Sequence, residues 1–364
     1  MFTWRRTDFL DGLSSENKHQ ISSNREDTLS TAGWNCRHPL PVLIACSFLA
    51  IGSVQGVSAE SVVLSPKVVR RHLGDIGSAQ PVLRFDNQGL IVVTGRGIYS
   101  FSVPSLKTLS SNPFPEGATA PLMVSLGKRT GFFLSASGYL YQFAIASGAY
   151  VKVYPRRFRN VSCIGTNENS SVAVLATFDG SCYLVSNGRS AVMNLPRGTN
   201  GVNSIAIASS VNQGLIGCND GSSYLFDLRT RRILGRAKRD FSVGAVAFDA
   251  GRAVFWQGFG TYIQPWKSAG ASGPGGQRLL SDDQRYEIQS LQFFGQNLMT
   301  FSLKRGITPG EEPSDPKIIA RRGNKIDVLG YSQYYFVALN LSLHLAAFVD
   351  SKGDLNVEDI AKLF

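Results

Sequence analysis

Histidine is scarce in this chain, and its scarcity excludes most side-chain catalysis. The 364 residues include four histidines, of which only His72 and His344 lie beyond residue 59. Catalytic triads and most metal centres use an imidazole as a base or a ligand. The sequence also contains no GxSxG elbow, no glycine-rich phosphate loop and no HExxH motif. We therefore expect a protein that is not an enzyme and that binds no metal or cofactor, with His344 as a core residue within an apolar strand.

Amphipathic helices are also missing, which excludes a parallel α/β fold. Such a fold needs a helical segment of about ten to fifteen residues between successive strands. The sequence shows instead short segments that alternate between apolar and polar residues, and this pattern indicates β-strands. An all-β fold is the remaining expectation.

Cysteine is rare, and its spacing offers no metal site. Of five cysteines, Cys163, Cys182 and Cys218 lie beyond residue 59, and no CxxC or Cys/His pair occurs among them. Each lies in an apolar strand pattern, which predicts buried free thiols. A Cys163–Cys182 disulfide is the alternative, because both residues belong to the same repeat.

The first 59 residues differ from the rest of the chain. Residues 1–36 form a polar leader, which we interpret as disordered or as the product of a misassigned start. Two basic residues are then followed by an apolar run and by small residues at a possible cleavage site, as in a secretory signal peptide. We therefore expect residues 37–59 to direct the chain to the periplasm or out of the cell. An uncleaved membrane anchor over residues 40–57, a lipoprotein cleavage box at Cys46 and a buried core segment are the alternatives.

What the chain does have is a short glycine turn that recurs at a nearly fixed period. Its glycines follow at intervals of 41, 42, 41 and 39 residues, at Gly97, Gly138, Gly180, Gly221 and Gly260. Gly353 lies about two periods further on, which predicts one more turn within residues 306–310. About four strand patterns surround each turn. Seven such units indicate a β-propeller.

The fourth repeat resembles the second half of a WD repeat. Residues 219–230 read NDGSSYLFDLRT, and Phe226 stands where that family commonly has Trp. The other repeats match only in outline, and the Gly-His pair that opens a WD unit is absent. The resemblance covers roughly residues 81–360 as architecture. It implies a single domain over residues 60–364, a seven-bladed propeller with four-stranded antiparallel blades.

A propeller ring also has to be closed. The last repeat supplies three strand patterns, at residues 334–339, 344–349 and 355–360, before the chain ends. Residues 60–70 begin with another apolar segment. We predict that they form the outer strand of the last blade, so that no inner sheet edge is left unpaired.

Positive charge is the best sequence lead to a binding surface. Beyond residue 59 the chain has 32 Lys and Arg against 21 Asp and Glu, so the net charge remains +11. In a propeller of this strand order, the loops between blades share one face with the glycine turns. We predict that these loops form a basic rim, which also includes His72. Its cations are Arg70, Arg71, Arg156, Arg157, Arg159, Arg197, Arg236, Lys238 and Arg239. The loop at 281–287 is the exception, because it is acidic. An ordinary solvated surface is the alternative, because the opposite face is basic too.

The function expected from these features is that of a non-catalytic scaffold in an envelope or secreted assembly. Its basic rim would bind an acidic protein, an anionic glycan or a lipid surface, whereas the few aromatic residues in the rim disfavour nucleic acid. A lactonase or glycan-cleaving enzyme with carboxylates at the channel mouth is one alternative. A membrane-anchored WD-like adaptor is another. Asp179 and Asp220 are expected to bond backbone amides of their own turns.

Overall fold

The computed structural model describes residues 68–361, except for a set of gaps. These are residues 78, 87–88, 115, 197–198, 200, 267–277, 280–285, 295–296, 305–316, 323–324, 332–336, 341–342, 350–352 and 360. All described residues belong to the unit Leu43–Phe364, and the chain's other unit is Met1–Val42. The predictions for residues 1–67 and for a turn at 306–310 therefore lie outside the described residues.

The described residues form 28 strands and two short 3-10 helices, Gly117–Thr119 and Ser209–Val211. The strands of the first half are β1 (Val68–His72), β2 (Val82–Phe85), β3 (Leu90–Val93), β4 (Gly97–Phe101), β5 (Thr108–Pro113), β6 (Pro121–Leu126), β7 (Thr130–Ser135), β8 (Leu140–Ala144), β9 (Tyr150–Lys152), β10 (Val161–Thr166), β11 (Ala173–Thr177), β12 (Ser181–Ser186) and β13 (Arg189–Asn194). Those of the second half are β14 (Val202–Ala208), β15 (Gln213–Cys218), β16 (Ser222–Asp227), β17 (Ile233–Lys238), β18 (Val243–Asp249), β19 (Val254–Phe259), β20 (Tyr262–Trp266), β21 (Arg278–Leu279), β22 (Tyr286–Phe294), β23 (Asn297–Lys304), β24 (Lys317–Arg322), β25 (Lys325–Tyr331), β26 (Val337–Asn340), β27 (Leu345–Val349) and β28 (Asp354–Asp359).

These strands pair into seven four-stranded antiparallel sheets in the described part of the chain. Sheets 1 to 6 take four consecutive strands each, beginning with β2, β6, β10, β14, β18 and β22, and sheet 7 contains β26, β27, β28 and β1. The first strand of each of sheets 1 to 5 contacts the first strand of the next sheet, and β26 of sheet 7 contacts β2 of sheet 1. The first strand therefore lies innermost and the fourth lies outermost, while in sheet 7 the outermost position belongs to β1.

The middle strands are apolar because they are covered on both faces. Every residue of β3, β11 and β27 is buried, so these strands lack the polar alternation of a solvent-exposed sheet. The outer strands β5 and β17 alternate between exposed and half-buried residues. The fold therefore removes the centre of each sheet from water and leaves its outer edge in solvent.

The core is divided into clusters that lie between neighbouring sheets. Sheets 3 and 4 bury one such cluster around Ile216 and Phe226, and sheets 1 and 2 bury another around Phe133 and Phe143. Sheets 7 and 1 share a cluster that includes Phe101. Burying an aromatic or aliphatic side chain of this size contributes about 1.5–3 kcal/mol, so each sheet is stabilised mainly by its neighbours.

The first strand of the structure pairs with the last. β1 runs antiparallel to β28, with Arg70 opposite Asn356 and His72 opposite Asp354. The predicted strand at residues 60–70 is thus observed only from residue 68, and it extends to His72. Closure of the sheets into a ring stays a prediction, which a truncation experiment below addresses.

Two side-chain predictions have clear outcomes. Cys163, Cys182 and Cys218 are free thiols, so the Cys163–Cys182 disulfide is wrong, and burial raises the pKa of both Cys163 and Cys182 to about 12.

The prediction of His344 as a core residue is also wrong. His344 is exposed in the turn before β27, with φ of 52°, and such a tight-turn conformation directs its side chain away from the sheet.

Helices contribute little to the described residues. None of the helices found there is long and apolar enough to cross a membrane.

Candidate interaction surface

Two kinds of connection between strands lie at one end of the sheets. The first is the turn between the second and third strands, and the second is the loop between sheets. Four turns donate a backbone N–H to a carbonyl of a preceding inter-sheet loop at 2.8–3.0 Å, from Gly95 to Ile76, Ala136 to Ala120, Phe178 to Asn160 and Asn219 to Gly201. The turns and loops therefore meet at the same end, as the sequence predicts. We call this end the turn face.

Four of the inter-sheet loops place one anchor residue each against a turn. The anchor donates its N–H to a turn carbonyl at 2.7–2.9 Å, from Leu73 to Gly353, Phe114 to Arg96, Phe158 to Gly138 and Arg239 to Gly221. Phe114 and Phe158 are buried. The turn glycines other than Gly97 have positive φ, and a Cβ on Gly138 would meet the Phe158 carbonyl oxygen at 2.5 Å. Glycine is therefore required there both for the conformation and for the close approach of the loop.

Arg239 occupies an anchor position, where the equivalent loops have an apolar residue. Its Nε and Nη2 donate to Gln264 Oε1 at 3.1 and 2.7 Å. Its guanidinium also lies 5.6 Å from the ring centroid of Phe259. The assignment of Arg239 to an open basic rim is therefore corrected: its donors are used within the protein.

Gln264, the acceptor of the Arg239 hydrogen bonds, belongs to a chain of hydrogen-bonded polar side chains. Gln257 Nε2 donates to Gln264 Oε1 at 2.8 Å, and Trp266 Nε1 donates to Gln257 Oε1 at 2.8 Å. All three side chains are buried. Because Gln264 Oε1 accepts from Gln257 and Gln257 Oε1 accepts from Trp266, the chain is consistent with burial of these three polar side chains.

Four of the predicted rim residues lie in strands instead of loops. Arg236 and Lys238 belong to β17, and Arg70 and Arg71 belong to β1. The loop prediction is wrong for them because the ends of these outer strands are polar and exposed, so they lack the apolar alternation that marks a strand in the sequence.

Three of these strand residues have internal partners. Lys238 Nζ lies 2.9 Å from Asp220 Oδ2. Arg70 Nε donates to Asn356 Oδ1 at 2.9 Å, and Arg71 Nη1 donates to the Leu106 carbonyl at 3.1 Å. His72 Nδ1 lies 2.7 Å from Asp354 Oδ1. These contacts secure the outer strands. Arg236 is exposed, and Arg197 lies outside the described residues.

The loop at residues 153–160 differs from the other rim segments because its cations point outward. Phe158 is buried between sheets 2 and 3, with its ring centroid 5.2 Å from that of Tyr154 and 5.3 Å from that of Tyr183. Arg156, Arg157 and Arg159 flank this anchor and are exposed. A buried aromatic residue thus fixes the loop and presents three guanidinium groups to solvent.

Two residues that the sequence did not single out extend this cationic surface. Lys152 Nζ lies 3.9 Å from the ring centroid of Tyr139, and the Arg157 guanidinium lies 5.1 Å from it. Arg157 lowers the pKa of the Tyr139 hydroxyl by hydrogen bonding and by its charge, and Lys152 adds a smaller electrostatic effect. Tyr139 therefore lies at the centre of a positive potential. Its only sequence signal was its place in the glycine turn.

Charge compensation distinguishes this region from the neighbouring part of the turn face. There, Arg96 pairs with Asp75 and also lies 3.6 Å from Glu116. No carboxylate of the described residues lies within ion-pair distance of Lys152, Arg156, Arg157 or Arg159. We call Tyr139, Lys152, Arg156, Arg157 and Arg159 the sheet 2–3 patch.

Acidic residues of the turns have structural roles, as predicted. Asp179 Oδ1 accepts a hydrogen bond from the Ser181 N–H at 3.1 Å, and Asp220 Oδ1 accepts one from the Ser222 N–H at 2.9 Å. The hydroxyl of Thr177 and the Ser181 amide lower the pKa of Asp179. These carboxylates stabilise the glycine turns, which confirms their expected role.

The unpaired residues near the starts of the innermost strands are uncharged. Five of these strands have a register shift near their start, at the second residue in four of them and at the fourth in β22. Each shift leaves one residue unpaired, namely Leu122, Ser162, Asn203, Gly244 and Gln289. None of the five is acidic. The described residues also contain no group of three or more His, Cys, Asp or Glu that could hold a metal ion.

Comparisons with known proteins identify the fold. No protein-family model matches the chain, and no curated protein matches it. A solved chain described as "Crystal Structure of Mitotic Checkpoint Complex" is similar at 15% identity with a TM-score of 0.60, over 88% of this chain and 99% of that chain. The Myceliophteria thermophila Cps50 (Swd1) β-propeller domain is similar at 12% identity with a TM-score of 0.59, over 80% of this chain and 98% of that chain. The predicted WD-repeat-like β-propeller is confirmed, and its blade count stays a prediction.

Proposed function

We propose that this protein is a non-catalytic interaction scaffold whose sheet 2–3 patch binds an acidic segment of a partner protein. The observation that carries the proposal is the absence of compensating carboxylates around Lys152, Arg156, Arg157 and Arg159 in the described part of the turn face. Uncompensated cations on a rigid surface attract an anionic partner and orient its approach. Arginine adds bidentate hydrogen bonds to carboxylates.

A protein partner fits this surface better than the other anionic classes. The patch joins one loop to one turn and is anchored by Phe158, so its guanidinium groups occupy a compact area. Nucleic acids and membranes usually require a broader basic surface that follows a backbone or a plane. The anionic glycan and lipid alternatives are retained as competitors in the binding experiments.

The first prediction is that reversing the charge of the patch abolishes binding to acidic peptides. We expect the R156E/R157E/R159E variant to bind a fluorescein-labelled poly-glutamate peptide at least about tenfold more weakly than the wild type, because attraction becomes repulsion at three positions. Fluorescence anisotropy at low and high salt measures the affinity. Wild-type binding should weaken as salt is added.

A matched variant controls for net charge. Arg229, Arg231 and Arg232 are exposed in the loop between β16 and β17, at the end opposite the turn face. The R229E/R231E/R232E variant has the same change in net charge and should retain most of the affinity. Equal loss in both variants would show that binding depends on total charge and would contradict the assignment of the patch.

The second prediction concerns location. We propose that residues 37–59 are removed as a signal peptide and that the folded chain acts in the periplasm or outside the cell. N-terminal sequencing of the protein purified from its native source should then begin at Glu60. Recovery of an intact N-terminus from a membrane fraction would instead support the membrane-anchored adaptor.

A further inference from the structure

Phe178 is an exposed aromatic residue at a position where the fold requires no large side chain. It is the first residue of the turn in sheet 3, and its side chain and backbone together are 43% exposed. The equivalent residues of sheets 1, 2 and 4, which donate the same backbone hydrogen bond to an inter-sheet loop, are Gly95, Ala136 and Asn219. The turn therefore forms with a glycine, an alanine or an asparagine at this position. The phenyl ring of Phe178 is therefore not explained by packing.

The backbone fixes Phe178 beside the sheet 2–3 patch. Its N–H donates to the Asn160 carbonyl at 3.0 Å, and its carbonyl accepts from the Gly201 N–H at 3.4 Å. Asn160 directly follows Arg159. The Thr177 hydroxyl donates to Asp179 and to the Ser181 carbonyl, the latter at 2.8 Å. The turn that carries the ring is thus fixed by hydrogen bonds to two neighbouring loops and by hydrogen bonds within the turn.

Other exposed large apolar residues lie elsewhere on the sheets. Leu109, Val151, Val192 and Leu234 are on outermost strands, at the rim of the propeller. Leu122 is at the inner start of β6. Tyr150 is also on an outermost strand, and Leu343 stands in a turn at the opposite end of the sheets. Among the described residues, Phe178 is therefore the exposed large apolar residue in a turn of the turn face, and its N–H bonds to the residue after Arg159. An apolar ring beside guanidinium groups is typical of the anchor positions in protein interfaces.

We propose that Phe178 and the sheet 2–3 patch form one mixed site for an acidic peptide segment that carries a large apolar side chain. The proposal rests on the scaffold function above and specifies its partner. The carboxylates of the segment pair with Arg156, Arg157 and Arg159, while its apolar side chain packs against the Phe178 ring. Burial of two apolar surfaces gives affinity that salt does not screen, in contrast to the charge pairs.

Two labelled peptides test the apolar requirement. One is an acidic peptide with a central leucine, and the other has serine at that position and is otherwise identical. We expect the wild type to prefer the leucine peptide by about tenfold, the effect expected from burying one such side chain. This preference should persist at high salt, where both affinities decrease. The F178S variant should bind both peptides equally.

Val192→Ser supplies a matched control, because Val192 is also exposed but lies on β13. V192S should keep the wild-type preference, and both variants should melt at the wild-type temperature because neither side chain is buried. Equal affinity of the wild type for the two peptides would overturn this inference and leave the proposed function standing. Failure of both peptides to bind would overturn both. Tighter binding of heparin or of phosphatidylglycerol vesicles, competing at the same residues, would assign the site to another class and overturn the peptide proposal.

Discussion

Removing strand β1 is expected to lower the melting temperature by at least about 10 °C. β1 forms five register pairs with β28, and each hydrogen bond of such a ladder contributes about 1 kcal/mol. Arg70 also donates to Asn356, and His72 contacts Asp354. Deletion would remove these contacts and leave β28 as an open sheet edge. At 2–4 °C per kcal/mol, a loss of roughly 5 kcal/mol gives the stated shift.

The experiment compares two truncated chains by calorimetry. One begins at residue 60 and retains β1, and the other begins at residue 73 and lacks it. The first should melt like the untruncated protein, while the second should melt early and expose its core to proteases. Equal melting temperatures would show that β1 does not close the propeller.

Replacing Gln264 by leucine is expected to have the second large effect, a loss of about 1–3 kcal/mol of stability. Gln264 Oε1 accepts hydrogen bonds from both Arg239 and Gln257. Leucine is close in size but accepts none, so an amide and a guanidinium would lose a buried partner. Buried polar groups that lose their partners destabilise more than the removed bond alone.

A second substitution distinguishes unpaired charge from lost packing. In Q264L/R239M the guanidinium is also removed, and part of the lost stability should return because no half-buried guanidinium is left without its acceptor. Arg236→Met is the control for a nearby exposed arginine and should change stability by less than about 0.5 kcal/mol. Urea midpoints measure all four proteins. A Q264L variant as stable as the control would contradict the role assigned to the polar chain.

The parts of this fold that depend on short-range pattern were predictable from the sequence. The glycine turns were visible because their spacing repeats, and Phe226 was placed correctly because it stands inside a WD-like ending. Asp179 was assigned to its turn because Asp two residues before a strand amide is a common local hydrogen-bond acceptor. Each of these inferences needs only a few adjacent residues.

The parts that depend on distant partners were not predictable. Arg239 was assigned to the rim because the sequence gives no sign of Gln264, which meets it only through the pairing of β20 with its neighbours. Arg70 and Arg236 looked like loop residues because outer strands are polar and exposed. Phe178 was counted only as part of a turn, because its exposure and its position next to Arg159 arise from the folded backbone.

Hydrogen–deuterium exchange of the full chain, with and without the acidic leucine peptide, tests the central claim most directly. The account predicts slower exchange at residues 136–139, 153–160 and 178–181 when the peptide is bound, with no change at residues 228–232. Protection at residues 228–232, or at the inner strand starts alone, would contradict the proposed site.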